Sequence, residues 1–341
     1  MIFQPANDDW VQGVTSIEAT PGPSRNRILL GTILLVFGIG WTLTDYARPG
    51  LALGAGIILA LTVGNPASRG VAKHSKTLLK LSVVGLGFGV PLALIGEAGP
   101  SGFVVTSVAV AFAVVVGLGL VPLLGIQREP GWLITIGTAI CGGSAIAALG
   151  SAIKARSESM AVALGSVFVL NAAALWIFPP IGNALSLSQM QFGVWASIAI
   201  HDTASVVGAA AEVGDGALKT ATVLKLLRTL WIVPLVIMAA QWTHRHGSQT
   251  GNRPSWHQAV PLFILFFALA ALSAAAIPAL SPTFETLAAW ARRLLTTTLF
   301  LIGTTLSTSN VKAVGVRPLL LAILLWVIVS IASLAVVLVA F

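Results

Sequence analysis

Long apolar runs separated by short polar breaks dominate the chain, and the runs are continuous rather than alternating. Continuous runs of about twenty residues suit helices that cross a bilayer, whereas barrel strands alternate. Eleven spans follow: 27–46, 49–64, 77–98, 102–124, 132–153, 157–181, 189–213, 217–242, 259–280, 283–307 and 318–341. Residues 1–26 are polar, carry Asp8, Asp9 and Glu18, and contain Pro21-Gly22-Pro23. They lack the basic start and apolar stretch of a signal peptide, so a short cytoplasmic tail is expected. Residues 27–341 then form one transmembrane domain.

Two spans break the pattern. In the fifth, Cys141-Gly142-Gly143-Ser144 interrupts an apolar run. In the seventh, His201-Asp202-Thr203-Ala204-Ser205 places an imidazole, a carboxylate and two hydroxyls at membrane depth. Ionisable groups there are costly and usually face a cavity or a partner. The expectation is that the two stretches form one binding site, held and moved by the other helices.

A weak internal symmetry accompanies them. His74-Ser75-Lys76-Thr77-Leu78-Leu79-Lys80 resembles Leu218-Lys219-Thr220-Ala221-Thr222-Val223-Leu224-Lys225. The broken fifth span would then match the tenth, interrupted at Gly303-Thr304. An offset of five spans gives opposite topology, so inverted repeats over 49–182 and 189–341 are expected, with broken crossover helices.

Composition agrees with the pattern. The 341 residues are 56% hydrophobic and 9% charged, with mean hydropathy +0.94. A soluble domain carries about 25% charged residues. An all-α polytopic membrane protein is the fold class this implies. The net charge of +8 and pI of about 10.4 come from bases spread among loops. They form no basic tract with interleaved aromatics, so nucleic acid is not an expected partner. With the N-terminus inside, cytoplasmic segments hold Arg25, Arg27, Arg69, Lys73, Lys76, Lys80, Arg128, Arg245, Arg253, Lys312 and Arg317. Outer segments hold only Arg48, Lys154, Arg156 and Lys219. That asymmetry predicts a cytoplasmic N-terminus in a multi-pass protein.

The chemistry available is small. One cysteine excludes an internal disulfide and a multi-thiolate metal site. No Gly-rich nucleotide loop and no metal-spaced His cluster occurs, so an enzyme is not expected, nor a cofactor beyond H⁺ or Na⁺ as a coupling ion. The glycine pair at Gly142-Gly143 has two readings. A helix resuming at Ser144 would aim free amides and a positive dipole end at an anion. Alternatively the small residues serve close helix packing. Asp202 could take a proton or Na⁺, or cap a half-helix beginning at Thr203. His201 could exchange a proton near neutral pH. Lys225 and Arg228 share a face of the eighth span. They could balance Asp202, attract an anion, or snorkel to the interface. Cys141 reads as a packing residue.

Ile140-Cys141-Gly142-Gly143-Ser144-Ala145-Ile146-Ala147-Ala148 and Ile200-His201-Asp202-Thr203-Ala204-Ser205-Val206-Val207-Gly208-Ala209-Ala210 resemble the two recognisable motifs of the YeiH-type putative sulfate exporter family of bacterial membrane proteins. Lys225-Leu226-Leu227-Arg228 is similar to that family as well. The family is related to cation/proton antiporters and bile-acid-type carriers. The resemblance implies a core and a scaffold domain, crossed broken helices and a homodimer in the inner membrane. It implies a site of Gly142, Gly143, Ser144, His201, Asp202, Thr203 and Ser205, to which the residues above add Lys225 and Arg228. The expected function is a secondary active transporter of a small inorganic or organic anion of the sulfate or sulfonate class, coupled to protons. A cation/proton antiporter using Asp202 is the alternative, although no span contains an adjacent Asp-Asp pair. An uncoupled channel is the third reading.

Overall fold

The structure is a computed structural model and describes residues 25–44, 46–63, 68–235, 237–238, 262–305 and 315–340. Nearly all of the expected tail and the polar loop over 243–258 lie outside the described residues. The long helices are α1 (Arg25–Thr42), α2 (Pro49–Thr62), α3 (Ser68–Gly87), α4 (Leu92–Leu123), α5 (Arg128–Ala139), α6 (Gly143–Ala152) and α7 (Ser157–Ala184). They continue with α8 (Gln189–Ala199), α9 (Thr203–Val213), α10 (Asp215–Thr229), α11 (Leu262–Ala276), α12 (Ser281–Thr304) and α13 (Val316–Ala340). No strand occurs among the described residues.

Three stretches are long and apolar enough to cross a membrane alone: Gly102–Leu123 in α4, Ser157–Ala184 and Val316–Ala340. A fourth arises if α11 and α12 count as one span, bent by 100° at Pro278. The fifth and seventh expected spans are each two half-helices, α5–α6 and α8–α9. Each half is too short to cross by itself.

The helices pack as two groups. α1, α2, α3, α11 and α12 pack on one another. α4 to α10 pack with α13, which lies against α4, α5, α7 and α8. The groups meet mainly where α9 lies between α2 and α12. Specific bonds pin that seam. Glu212, near the end of α9, accepts a 2.9 Å hydrogen bond from the Gly50 N–H at the start of α2. Asp215 at the start of α10 pairs with Arg292 of α12. Within the second group Trp195 of α8 donates to the Ser330 carbonyl of α13 at 2.9 Å and packs on Phe178.

One departure from the sequence pattern has a physical cause. α3 begins at Ser68 rather than at residue 77, and so takes in Arg69, Lys73, His74 and Lys76, which were expected in a loop. Charges end lipid exposure but not helicity, and Ala, Arg and Lys are good helix formers. In the tenth span α12 ends at Thr304, beside the expected interruption, and residues 306–314 lie outside the described residues. Gly303 also serves packing. A Cβ on Gly303 would lie 2.5 Å from the Leu53 carbonyl oxygen, and one on Gly56 would lie against the Phe300 oxygen and the Gly303 Cα. α2 and α12 therefore cross in backbone contact, which only glycine permits. Gly303→Val is expected to destabilise by at least the 1–3 kcal/mol typical of overpacking, roughly, because backbone cannot yield as a side chain can. Thermal unfolding in detergent checks this. An unshifted midpoint would contradict the crossing.

At one end of the fold, Glu129 in the first turn of α5 caps α7. Its carboxylate accepts from the Arg156 N–H at 2.7 Å. That bond, helped by Ser159 and the Arg156 charge, holds the Glu129 carboxyl below its ordinary value. A lowered acid stabilises the fold above its unfolded pKa, and the contribution is lost as pH falls through the folded one.

Candidate functional site

The two breaks are built differently and touch. In the first, α5 ends at Ala139 and the Gly142 N–H returns to the Gly137 carbonyl at 2.8 Å. Gly142 has φ +67°, a conformation that side chains other than glycine adopt at a cost. α6 starts at Gly143 with no side-chain cap. In the second break, α8 ends at Ala199, Ile200 is extended, and Asp202 caps α9. The Asp202 carboxylate accepts from the Ala204 N–H at 3.0 Å and the Ser205 N–H at 3.4 Å. Of the readings open for Asp202, the cap is thus observed. A Cβ on Gly142 would lie 3.6 Å from both the Cα and the N of Asp202, so the breaks are in van der Waals contact.

Breaking two helices in an apolar core leaves carbonyls at the two C-terminal ends and amides at the two N-terminal ends. Buried cations take the carbonyls. Arg228 is fully buried, and its guanidinium spans both helices. Nε donates to the Ala139 carbonyl at 2.7 Å and Nη2 to Thr138 at 2.7 Å, at the end of α5. Nη1 donates to Ser197 at 3.0 Å and to Ile198, at the end of α8. Lys225, one helical turn earlier on α10 and equally buried, donates to Ile200 at 2.7 Å and Ser197 at 3.4 Å. Cations at helix C-termini also meet the negative end of the dipole. Neither base snorkels to an interface, and neither forms an ion pair with Asp202 among the described residues. α10 reaches these carbonyls because it packs tightly on α8: a Cβ on Gly193 would meet Thr220 and the Ala217 oxygen.

The amide ends carry the accessible groups. Ser144 is exposed, and Gly143 and Asp202 are partly so. Thr203 and Ser205 are buried in the first turn of α9, and Gly142 is buried in its break. His201 is 1% exposed, and neither ring nitrogen has a hydrogen-bond partner. Cys141 is buried, as a packing residue would be. One residue beyond the expected set joins the site. Asn171 of α7 accepts from the Asp202 N–H through Oδ1 at 3.2 Å, while its buried Nδ2 has no partner. The signal was visible, since Asn171 is a side-chain amide in the middle of a long apolar run.

The glycine pair is not symmetric in its demands. A Cβ on Gly143 meets only ordinary contacts at 3.5 Å or more, whereas Gly142 has positive φ and Val167 at 3.2 Å. Gly142→Ala is therefore expected to cost about 1–3 kcal/mol, because φ +67° with ψ −122° is a sparsely populated backbone conformation, and Gly143→Ala close to nothing. Paired detergent melts of the two variants test the asymmetry. Equal shifts would contradict the geometry.

The chain matches known proteins along most of its length. A family model described as conserved hypothetical protein 698 matches residues 28–322. The UPF0324 membrane protein of Bdellovibrio bacteriovorus is 42% identical over 321 residues, covering 94% of this chain and 98% of that protein. A UPF0324 membrane protein of Geobacter sulfurreducens is 45% identical over 291 residues, covering 84% and 90%. One of Bacteroides thetaiotaomicron is 43% identical over 296 residues, covering 85% and 86%. No solved structure matches. The relatives' names agree with the apolar helices above, and the chain is a membrane protein that belongs to the UPF0324 family, the family of conserved hypothetical protein 698.

Proposed function

We propose that the protein is a secondary active transporter of a small anion of the sulfate or sulfonate class, coupled to protons. In this reading it crosses a bacterial inner membrane eleven times with a cytoplasmic N-terminus, as a homodimer. The observation that carries the reading is the pair of touching breaks, with their carbonyl ends neutralised by Lys225 and Arg228 and amide ends left at Gly142, Gly143 and Ser144. Half-helix termini at a midplane break are how many carriers hold ions. The sign of the site separates anion from cation. Two buried cations face a single carboxylate, and that carboxylate is already engaged in capping α9. A cation/proton antiporter would need Asp202 free to bind its ion. An uncoupled channel would need a continuous wet path, whereas the breaks here are packed against each other.

Flux into proteoliposomes tests the proposal. Labelled sulfate and methanesulfonate should enter saturably, sulfate should respond to an imposed pH gradient, and labelled Na⁺ should not exchange. Na⁺/H⁺ exchange without anion flux would overturn it in favour of the antiporter.

A further inference from the structure

The charges at the crossing do not balance, and the imbalance specifies a ligand. The two C-terminal ends of α5 and α8 present about half a negative charge each. Lys225 and Arg228, which donate to those ends, supply two full positive charges against them when both are protonated. The two N-terminal ends, of α6 and α9, present about half a positive charge each. Asp202 supplies one negative charge against those. The crossing is left with a surplus of about one positive charge by the same reckoning. An unbalanced charge in a low-dielectric interior is costly, so the site favours a partner that cancels it.

No other ionisable side chain among the described residues offers that cancellation. α2, α6 and α8 contain no Asp, Glu, Lys or Arg. On α5 the charges are Arg128 and Glu129, on α7 Glu158, and on α13 Arg317, all in first turns away from the breaks. The Glu97 side chain, on α4, lies outside those described. Glu212 lies ten residues beyond Asp202, about 15 Å along α9, and bonds to Gly50. Asp215, at the far end of α10 beyond Lys219, is paired with Arg292 of α12, next to Arg293. Glu285 is a further two turns toward the start of α12. His201 and Cys141 are the remaining titratable groups in the breaks themselves, and neither is predominantly anionic in its ordinary solution form near pH 7.

Donors for an oxyanion are also at hand beyond the helix end. Asn171 is fixed at the break by its bond to the Asp202 N–H, and its Nδ2 is buried without a partner. The ring nitrogens of His201 are likewise buried and unpartnered.

We propose that the crossing is matched to a singly charged oxyanion, and that a doubly charged one is held only together with one proton, which Asp202 takes. This rests on the anion reading of the site. The proton moves from solvent to the Asp202 carboxylate as the second anion charge enters, so the occupied site stays neutral in both cases. The Asp202 carboxyl then caps α9 through its carbonyl oxygen.

Methanesulfonate and sulfate are suitable probes, because they share a tetrahedral sulfur-oxygen head and differ by one charge. Calorimetric titration of the full-length protein in detergent, in two buffers of different ionisation heat, counts protons taken up on binding. Between pH 6 and 8 methanesulfonate should bind with no proton uptake and no change in affinity. Sulfate should take up one proton per ion, its affinity falling about tenfold per pH unit. In Asp202→Asn, sulfate should bind with no proton uptake. Sulfate binding to the unmodified protein without a proton, or uptake that persists in Asp202→Asn, overturns the charge balance while leaving the anion reading standing. Binding of neither ion overturns both.

Discussion

Arg228→Ala is expected to loosen both broken helices at once and to abolish transport. Among the described residues the guanidinium is the one side-chain group that bonds to the ends of α5 and α8 together, reaching Thr138 and Ala139 on one and Ser197 and Ile198 on the other. Removing it strands the Thr138, Ala139 and Ile198 carbonyls, leaves Ser197 only its bond from Lys225, and leaves two helix dipoles facing one remaining cation. Breaking a buried charged network of this kind costs about 3–5 kcal/mol. Arg228→Lys keeps the charge but not the reach. An ammonium is a point donor, and the planar fork that spans two helices has no equivalent in it. Losing two of the four bonds should cost about 2–3 kcal/mol. The detergent melting midpoint should fall in the order native, lysine, alanine, and anion flux should fall with it. An alanine variant that melts with the native protein would show that the carbonyls find other partners.

Asp202→Asn should separate fold from coupling. Asparagine caps a helix about as well as aspartate, and the cap here needs only an acceptor for the Ala204 and Ser205 amides. The variant should fold and still take up anion. It cannot bind and release a proton, so its flux should ignore a pH gradient that drives the native protein. Asp202→Ala, by contrast, should lose about 1 kcal/mol of stability with the cap. PH-driven flux that survives in Asp202→Asn would move the coupling proton to His201.

Much of this site is legible in the sequence because local chemistry creates it. Two glycines in an apolar run, and a histidine and aspartate in another, each mark a place where a helix stops. The breaks fall at those residues. Aspartate is among the residues preferred at a helix N-cap, so Asp202 could be read as a helix start. What the sequence does not carry is who meets whom. Lys225 and Arg228 share a face of α10, but nothing local says that face meets carbonyls rather than Asp202, because the carbonyls sit 25 to 90 positions away. The tenth span shows a related limit. Gly303 lies beside the end of α12, and it is also the contact point of two backbones, α2 and α12, which no local signal announces. A glycine reports that a side chain is not wanted, and only the neighbour tells why.

Asn171 is a milder case. A lone amide in a membrane helix asks for a partner, and the partner is the backbone of Asp202. Its role is invisible until α7 is seen to pack against α9.

The account stands on one claim, that the two touching breaks hold an anion. Anomalous diffraction from crystals of the protein soaked in selenate tests it most directly, since selenium marks the anion alone. The predicted result is a peak at the crossing, within hydrogen-bond distance of the amides after Gly142 and of Asn171 Nδ2, and lost in Gly142→Leu. A strong peak elsewhere in the protein, with none at the crossing, would contradict it.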